Sequence, residues 1–153
     1  MLTAALEPFP PFLEEVKPLL PLHYAELALD QDKVPLAPQY DIYLARDARG
    51  EVLCVAMRSA GELVGYLVGF VNPGLHYSTC LTLIVDIYWL RPDMRGNGGG
   101  AVLFKAVEKE AKRRGVQRMF VGYKLHSPAP KPLFEALGYE PVEEYFTAWL
   151  GDS

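Results

Sequence analysis

Cysteine is scarce, with only Cys54 and Cys80 among 153 residues. Two thiols set so far apart exclude a disulfide framework and a thiolate metal site; each falls in an apolar, strand-like run and is expected to be a buried free thiol. Basic clusters are short as well, none longer than Lys112-Arg113-Arg114, and the formal net charge is -4. Nucleic acid is a poor partner for such a chain. No apolar stretch reaches the ~18 residues that would span a bilayer. Met1 to Pro10 carries no basic n-region and is interrupted at Pro8 and Pro10, so it does not read as a signal peptide. The expectation is a soluble cytoplasmic protein without metal and without a membrane partner.

What is present is the material of one compact domain spanning residues 1–153, at 50% hydrophobic and 22% charged. Residues 1–50 read as a helical lead-in, with helical patterns at Pro11 to Leu20 and Leu22 to Leu29 separated by Pro21. Tyr40 to Ala48 is expected as a further helix that Asp41 can cap and Gly50 can end, with a strand as the alternative. From Glu51 the period changes: Glu51 to Arg58 and Glu62 to Asn72 form a hairpin about Ser59-Ala60-Gly61. Leu81 to Leu90 is a long apolar strand, interrupted only by Asp86, and should lie centrally in a sheet. A helix from Gly98 to Arg114 follows, with Gly100, Leu103, Phe104, Val107 and Ala111 on one face and Glu108/Lys112 and Glu110/Arg114 paired outside. Val116 to Lys124 is a parallel strand, Pro130 to Leu137 a short helix, and Tyr145 to Leu150 a final strand. This order gives an α/β (α+β) architecture, a mixed and mostly antiparallel sheet with helices on both faces.

Four glycines crowd the five positions from Gly96 to Gly100, directly after Arg95 and at the start of a helix. Glycine at a helical position costs up to ~1 kcal/mol, so a compensating role is expected. An anion site supplies one: first-turn N–H groups are unpaired, the helix dipole is positive there, and side chains would obstruct a phosphate. A Walker loop is excluded, because Gly100 is followed by Ala101-Val102 and not by Lys-Ser/Thr. Gly96, Gly98 and Ala101 formally meet the dinucleotide pattern, but the following strand ends in Lys124 where a ribose-binding acid is needed, and the antiparallel hairpin disagrees with a Rossmann half.

The stretch Leu90-Arg91-Pro92-Asp93-Met94-Arg95-Gly96-Asn97-Gly98-Gly99-Gly100 resembles the coenzyme motif of the GNAT superfamily, Arg/Gln-x-x-Gly-x-Gly/Ala after a strand. Leu133-Phe134-Glu135-Ala136-Leu137-Gly138-Tyr139 is similar to that family's late helix, and the resemblance covers a core of about residues 51–150. The pattern is also similar to GNAT proteins encoded by tailed bacteriophages. The resemblance implies an acyl-CoA-dependent N-acyltransferase whose central strand splays from its parallel neighbour. Acetyl-CoA would then be the co-substrate, its pantetheine arm lying along Tyr88, Trp89 and Leu90. Its pyrophosphate would sit at Arg95, Gly96, Asn97, Gly98, Gly99 and Gly100, with Phe134 lining the same cleft. The acceptor would be the amine of a small molecule, peptide or protein. A homodimer paired through the final strand is a further expectation.

An amine must lose a proton before it attacks a thioester. Asp86 is the leading base, because it is the only charge in its strand and burial there would raise its pKa; the alternative is a carboxylate that only bonds its neighbours. His76, in the loop before that strand, comes second. Where the family commonly carries a Tyr as acid for the leaving thiolate, this chain has Phe134; Tyr123, Tyr139 or water could serve instead, while Lys124 and His126 lie near the same mouth. This departure keeps a second function open, a non-catalytic acyl-CoA-binding module.

Overall fold

A computed structural model describes residues 1–152. Five strands form one sheet in the order β1-β2-β3-β4-β5, namely β1 Leu2–Leu6, β2 Val52–Ser59, β3 Glu62–Pro73, β4 Leu81–Leu90 and β5 Arg118–Phe120. The first four are antiparallel to their neighbours and β5 runs parallel to β4. The helices are α1 Phe9–Val16, α2 Leu20–Leu27, α3 Tyr40–Ala48, α4 Gly99–Arg113 and α5 Lys131–Ala136.

Helices cover both faces, and this explains the unbroken apolar runs of β2 and β3. Leu53, Val55 and Met57 point to one face, where Leu103, Phe104, Val107 and Ala111 of α4 meet them with Phe134 of α5. Val52, Cys54 and Ala56 point to the other, against Phe9, Phe12, Leu13 and Val16 of α1. The β2–β3 hairpin closes through Ala60 and Gly61, both at positive φ, the geometry that matches the twist of the flanking strands.

Several expectations change. Residues 2–6 form an edge strand of the sheet, with Leu2, Ala4 and Leu6 packed on the α4 side. Pro21 does not separate two helices; it sits in the first turn of α2, where a missing N–H goes unfelt. Asp41 lies in the first turn of α3 but caps nothing, the helix starting after Gln39. Among the outer groups of α4, Glu110 pairs with Arg113, Glu108 accepts from the Tyr139 hydroxyl, and Arg114 donates to the Val52 carbonyl. Cys54 is buried, whereas Cys80 lies half-buried just before β4. The strand expected over 116–124 contracts to Arg118–Phe120, and Tyr145 to Leu150 forms no strand. A strand has no internal hydrogen bonds and needs an edge to pair with; the three residues of β5 offer a short one.

Candidate active site

β4 carries the site because it loses one neighbour and changes register with the other. On its β5 side only Thr82, Leu83 and Ile84 are paired, with Arg118, Met119 and Phe120. Val85 to Leu90 continue without a strand beside them, leaving a gap whose β4 edge can accept an extended ligand. The Tyr88 hydroxyl spans this gap and donates to the Gly122 carbonyl at 2.6 Å. On the β3 side the register shifts: Val68 faces Ile87 while Gly69 faces Val85, so Asp86 is the extra residue of a bulge.

The bulge corrects the expectation that Asp86 is buried. Its side chain is exposed, turned out of the ladder, where the Tyr43 hydroxyl of α3 donates to one carboxylate oxygen. Burial, and then Asp86 itself, push the Tyr43 phenol above its ordinary range, so Tyr43 remains a donor throughout the accessible pH range. Tyr43 was not anticipated from sequence; a Tyr three residues after Tyr40 on an amphipathic helix carries no signal beyond packing.

The glycine turn divides into two pairs. Gly96 and Gly98 adopt φ of +80° and +88°, and a Cβ on either would meet nothing within 4 Å. Gly99 and Gly100 are small for packing: a Cβ at Gly99 would lie 2.5 Å from the Met94 carbonyl oxygen, and one at Gly100 2.7 Å from Leu133 Cδ2. No side chain caps α4, whose first internal bond runs from Val102 N–H to the Gly98 carbonyl. Open space beside uncapped N–H groups fits a pyrophosphate. Arg95 is not directed there as a free cation. Its guanidinium donates to both oxygens of Glu26 in α2 at 2.7 and 2.8 Å and to the Leu90 carbonyl at 2.6 Å. That ion pair, reinforced by the Trp89 indole, holds the Glu26 carboxyl below its ordinary range against the opposing effect of burial.

The remaining predicted residues fall on different sides of the sheet. Tyr88, Phe104, Phe134 and Tyr139 form an aromatic cluster on the α4 side, with Phe134 buried and its ring 6.0 Å from Tyr88 and 6.4 Å from Tyr123. Tyr139 is engaged by Glu108, and Tyr123 has no hydrogen-bond partner among the described residues. Trp89 points to the opposite face, buried against α2, so only its backbone borders the gap. Leu90 packs on the α4 side. His76 lies in the loop at the other end of β4 from the glycine turn, edge-on to Tyr77, and shares no hydrogen bond with Asp86 or Tyr43. A residue that sequence reasoning passed over, His23 of α2, is packed between Tyr66 and Trp89, with Nδ1 2.8 Å from the Tyr66 hydroxyl. Burial lowers its pKa to about 4.

A parallel pair that opens beside a glycine turn is the geometry the sequence resemblance anticipated, and an independent comparison decides the family. The family model for the Acetyltransferase (GNAT) family matches residues 15–139. The chain belongs to that family. No curated protein matches it by sequence. Solved structures share the GNAT fold at low identity. A ribosomal-protein-alanine N-acetyltransferase from Brucella melitensis biovar Abortus 2308 superposes with a TM-score of 0.76 at 19% identity, covering 99% of each chain. An aminoglycoside acetyltransferase from an uncultured soil metagenomic sample gives 0.74 at 13% identity, covering 98% of this chain and 97% of that one. AAC(6')-Iy, in complex with a bisubstrate analogue, CoA-S-monomethyl-acetylneamine, gives 0.65 at 16% identity over 99% of each chain. Within this GNAT chain, Asp86 and the glycine turn therefore lie on one strand and the loop that follows it, at opposite ends of the gap.

Proposed function

We propose that the protein is an N-acetyltransferase that moves an acetyl group from acetyl-CoA to a primary amine by direct attack. The observation that carries this reading is the unpaired edge of β4 from Val85 to Leu90, which begins at an exposed carboxylate and leads to an uncapped helix start with room for a pyrophosphate. Gly96, Gly98 and the first N–H groups of α4 would hold the pyrophosphate, and the backbone of Tyr88 to Leu90 the extended arm. Acetyl-CoA supplies an activated thioester. Asp86, fixed by Tyr43, takes the proton from the incoming ammonium directly or through one water, leaving the neutral amine to attack. Backbone N–H groups of the open β4 edge favour the oxyanion that develops. As the C–S bond breaks, the nitrogen gives up its second proton to water while the departing sulfur takes one from water or from Tyr123, so that amide and thiol form with one net proton released.

Phe134 favours a second reading, a module that binds acyl-CoA without turnover, since a buried phenyl ring stands where a phenol would serve as acid. Thermal unfolding with and without acetyl-CoA tests the shared premise. At a hundredfold excess over Kd, binding adds ~2.7 kcal/mol, several degrees for a domain of this size. ATP and NAD should give no shift, and Gly98→Glu, which puts an anion into the open space of the turn, should abolish the effect. Absence of a shift with acetyl-CoA would remove the basis of both readings.

A further inference from the structure

A cavity of about 280 Å³ lies on the α1 side of the sheet, against the middle of β4. That size is near the low end of small-molecule sites, roughly 300–1,000 Å³. Val68 and Ile87 form its floor, Val16 and Leu20 its wall, and residues 35–38 its roof. No charged side chain lines it. The segment leading into the roof is tied down: the Gln31 amide nitrogen lies 3.1–3.2 Å from the carbonyl oxygens of Tyr24, Ala25 and Ala28, and the Tyr24 hydroxyl donates to the Val34 carbonyl. Tyr43 links this space to the candidate base, since its ring lines the cavity while its hydroxyl is donated to Asp86. Ile87, the residue after Asp86, completes the junction.

We infer that this cavity receives the apolar body of the acceptor, so that the substrate is a primary amine carried on an uncharged aliphatic or aromatic group. The inference rests on the transferase reading and adds the substrate class. Tyr43 and Ile87 line the cavity and adjoin Asp86, one through its hydrogen bond and the other along the chain, so an amine held at Asp86 would pass its carbon chain between them. A second ammonium at the far end of that chain would be stripped of water among carbon atoms, with no carboxylate in the lining to pair with it. Multiply charged acceptors, including aminoglycosides and polyamines, are thereby disfavoured.

Hexylamine and 1,6-diaminohexane share one six-carbon chain and differ only in the second amino group at the far end, which makes them the deciding pair. With acetyl-CoA saturating, kcat/KM for hexylamine should exceed that for the diamine at least tenfold. Ala37→Trp, which fills the cavity from its roof, should lower the hexylamine value at least tenfold and bring the two amines close together, with acetyl-CoA stabilisation retained as the check that the variant folds. Calorimetric titration of the wild-type protein with each amine reads the same preference without turnover. Equal or better use of the diamine, or hexylamine kinetics and binding untouched by Ala37→Trp, would overturn the assignment while leaving the transferase reading intact. Tight binding of hexylamine with no acetylation of any amine would instead overturn the transferase reading, and the acceptor assignment with it.

Discussion

At the scale of the residue, an exposed carboxylate held by a half-buried phenol is suited to receiving a proton that must later leave. Because the bulge sets Asp86 outside the ladder, replacing it disturbs no core packing. Asp86→Asn should lower kcat about 10²- to 10⁴-fold, the range of a lost general base, and leave the acetyl-CoA-induced rise in unfolding temperature unchanged. Tyr43→Phe removes only the orienting hydrogen bond, and a loss of roughly tenfold, equivalent to ~1.4 kcal/mol, is expected. Unchanged turnover in Asp86→Asn would make this carboxylate a bystander. His23 gives a separate pH signature. Its folded pKa, about 4, lies below the ordinary 6.5, so between those values the unfolded chain binds a proton that the folded chain refuses. Stability therefore falls as pH drops from about 6.5 to 4, by at most ~3 kcal/mol. Urea midpoints of wild type and His23→Gln, compared at pH 7.5 and 4.5, should show a steeper acid loss in the wild type; parallel losses would contradict it.

At the scale of the element, the four glycines of the turn answer to two different constraints. Gly99→Ala sets a methyl 2.5 Å from a backbone carbonyl that cannot swing aside, and should destabilise the fold by ~1–3 kcal/mol. Gly100→Ala meets the end of the Leu133 side chain, which can rotate, and should cost less. Denaturant unfolding of the two variants measures the difference, and equal costs would mean that the α5 contact is as rigid as the Met94 carbonyl. Sequence reading credited all four glycines to the anion, because a glycine kept small by a neighbour and one kept for its φ look alike until the neighbour is known. The same limit explains other differences. The Glu62 to Asn72 strand was legible as a Val- and Leu-rich run after a Gly-containing turn, and the α4 stripe because its apolar residues repeat at helical spacing. β1 was not, since Leu-Thr-Ala-Ala-Leu alternates too weakly to be told from the start of a helix. The Arg95–Glu26 pair joins residues far apart in sequence and left no local trace.

At the scale of the whole molecule, the sheet separates two sets of packed side chains, one on each face, and the proposed sites on them meet at β4. The α4 face supports the glycine turn and the aromatic floor of the gap, the α1 face supports the apolar cavity, and the Asp86 bulge lies where both are within reach. The chain after Tyr139 contributes little to this arrangement. Tyr145, Phe146 and Leu150 are 88%, 92% and 93% exposed, while Trp149 sits under the Lys33 ammonium at 5.0 Å. Apolar side chains that find no partner within the fold add almost nothing to its stability. Brief chymotrypsin treatment should therefore cut first after Tyr145 and Phe146, as mass spectrometry would show. The trimmed protein should then unfold within about 2 °C of the intact one, as a surface change of ±0.5 kcal/mol implies. Acetyl-CoA should still stabilise the trimmed protein, since the gap and the turn lie upstream. Survival of both bonds under conditions that cut an unfolded control would mean that the segment is covered. Pairing with the β5 edge of a second copy would provide that cover, and protection should then fade on dilution below the dimer's Kd.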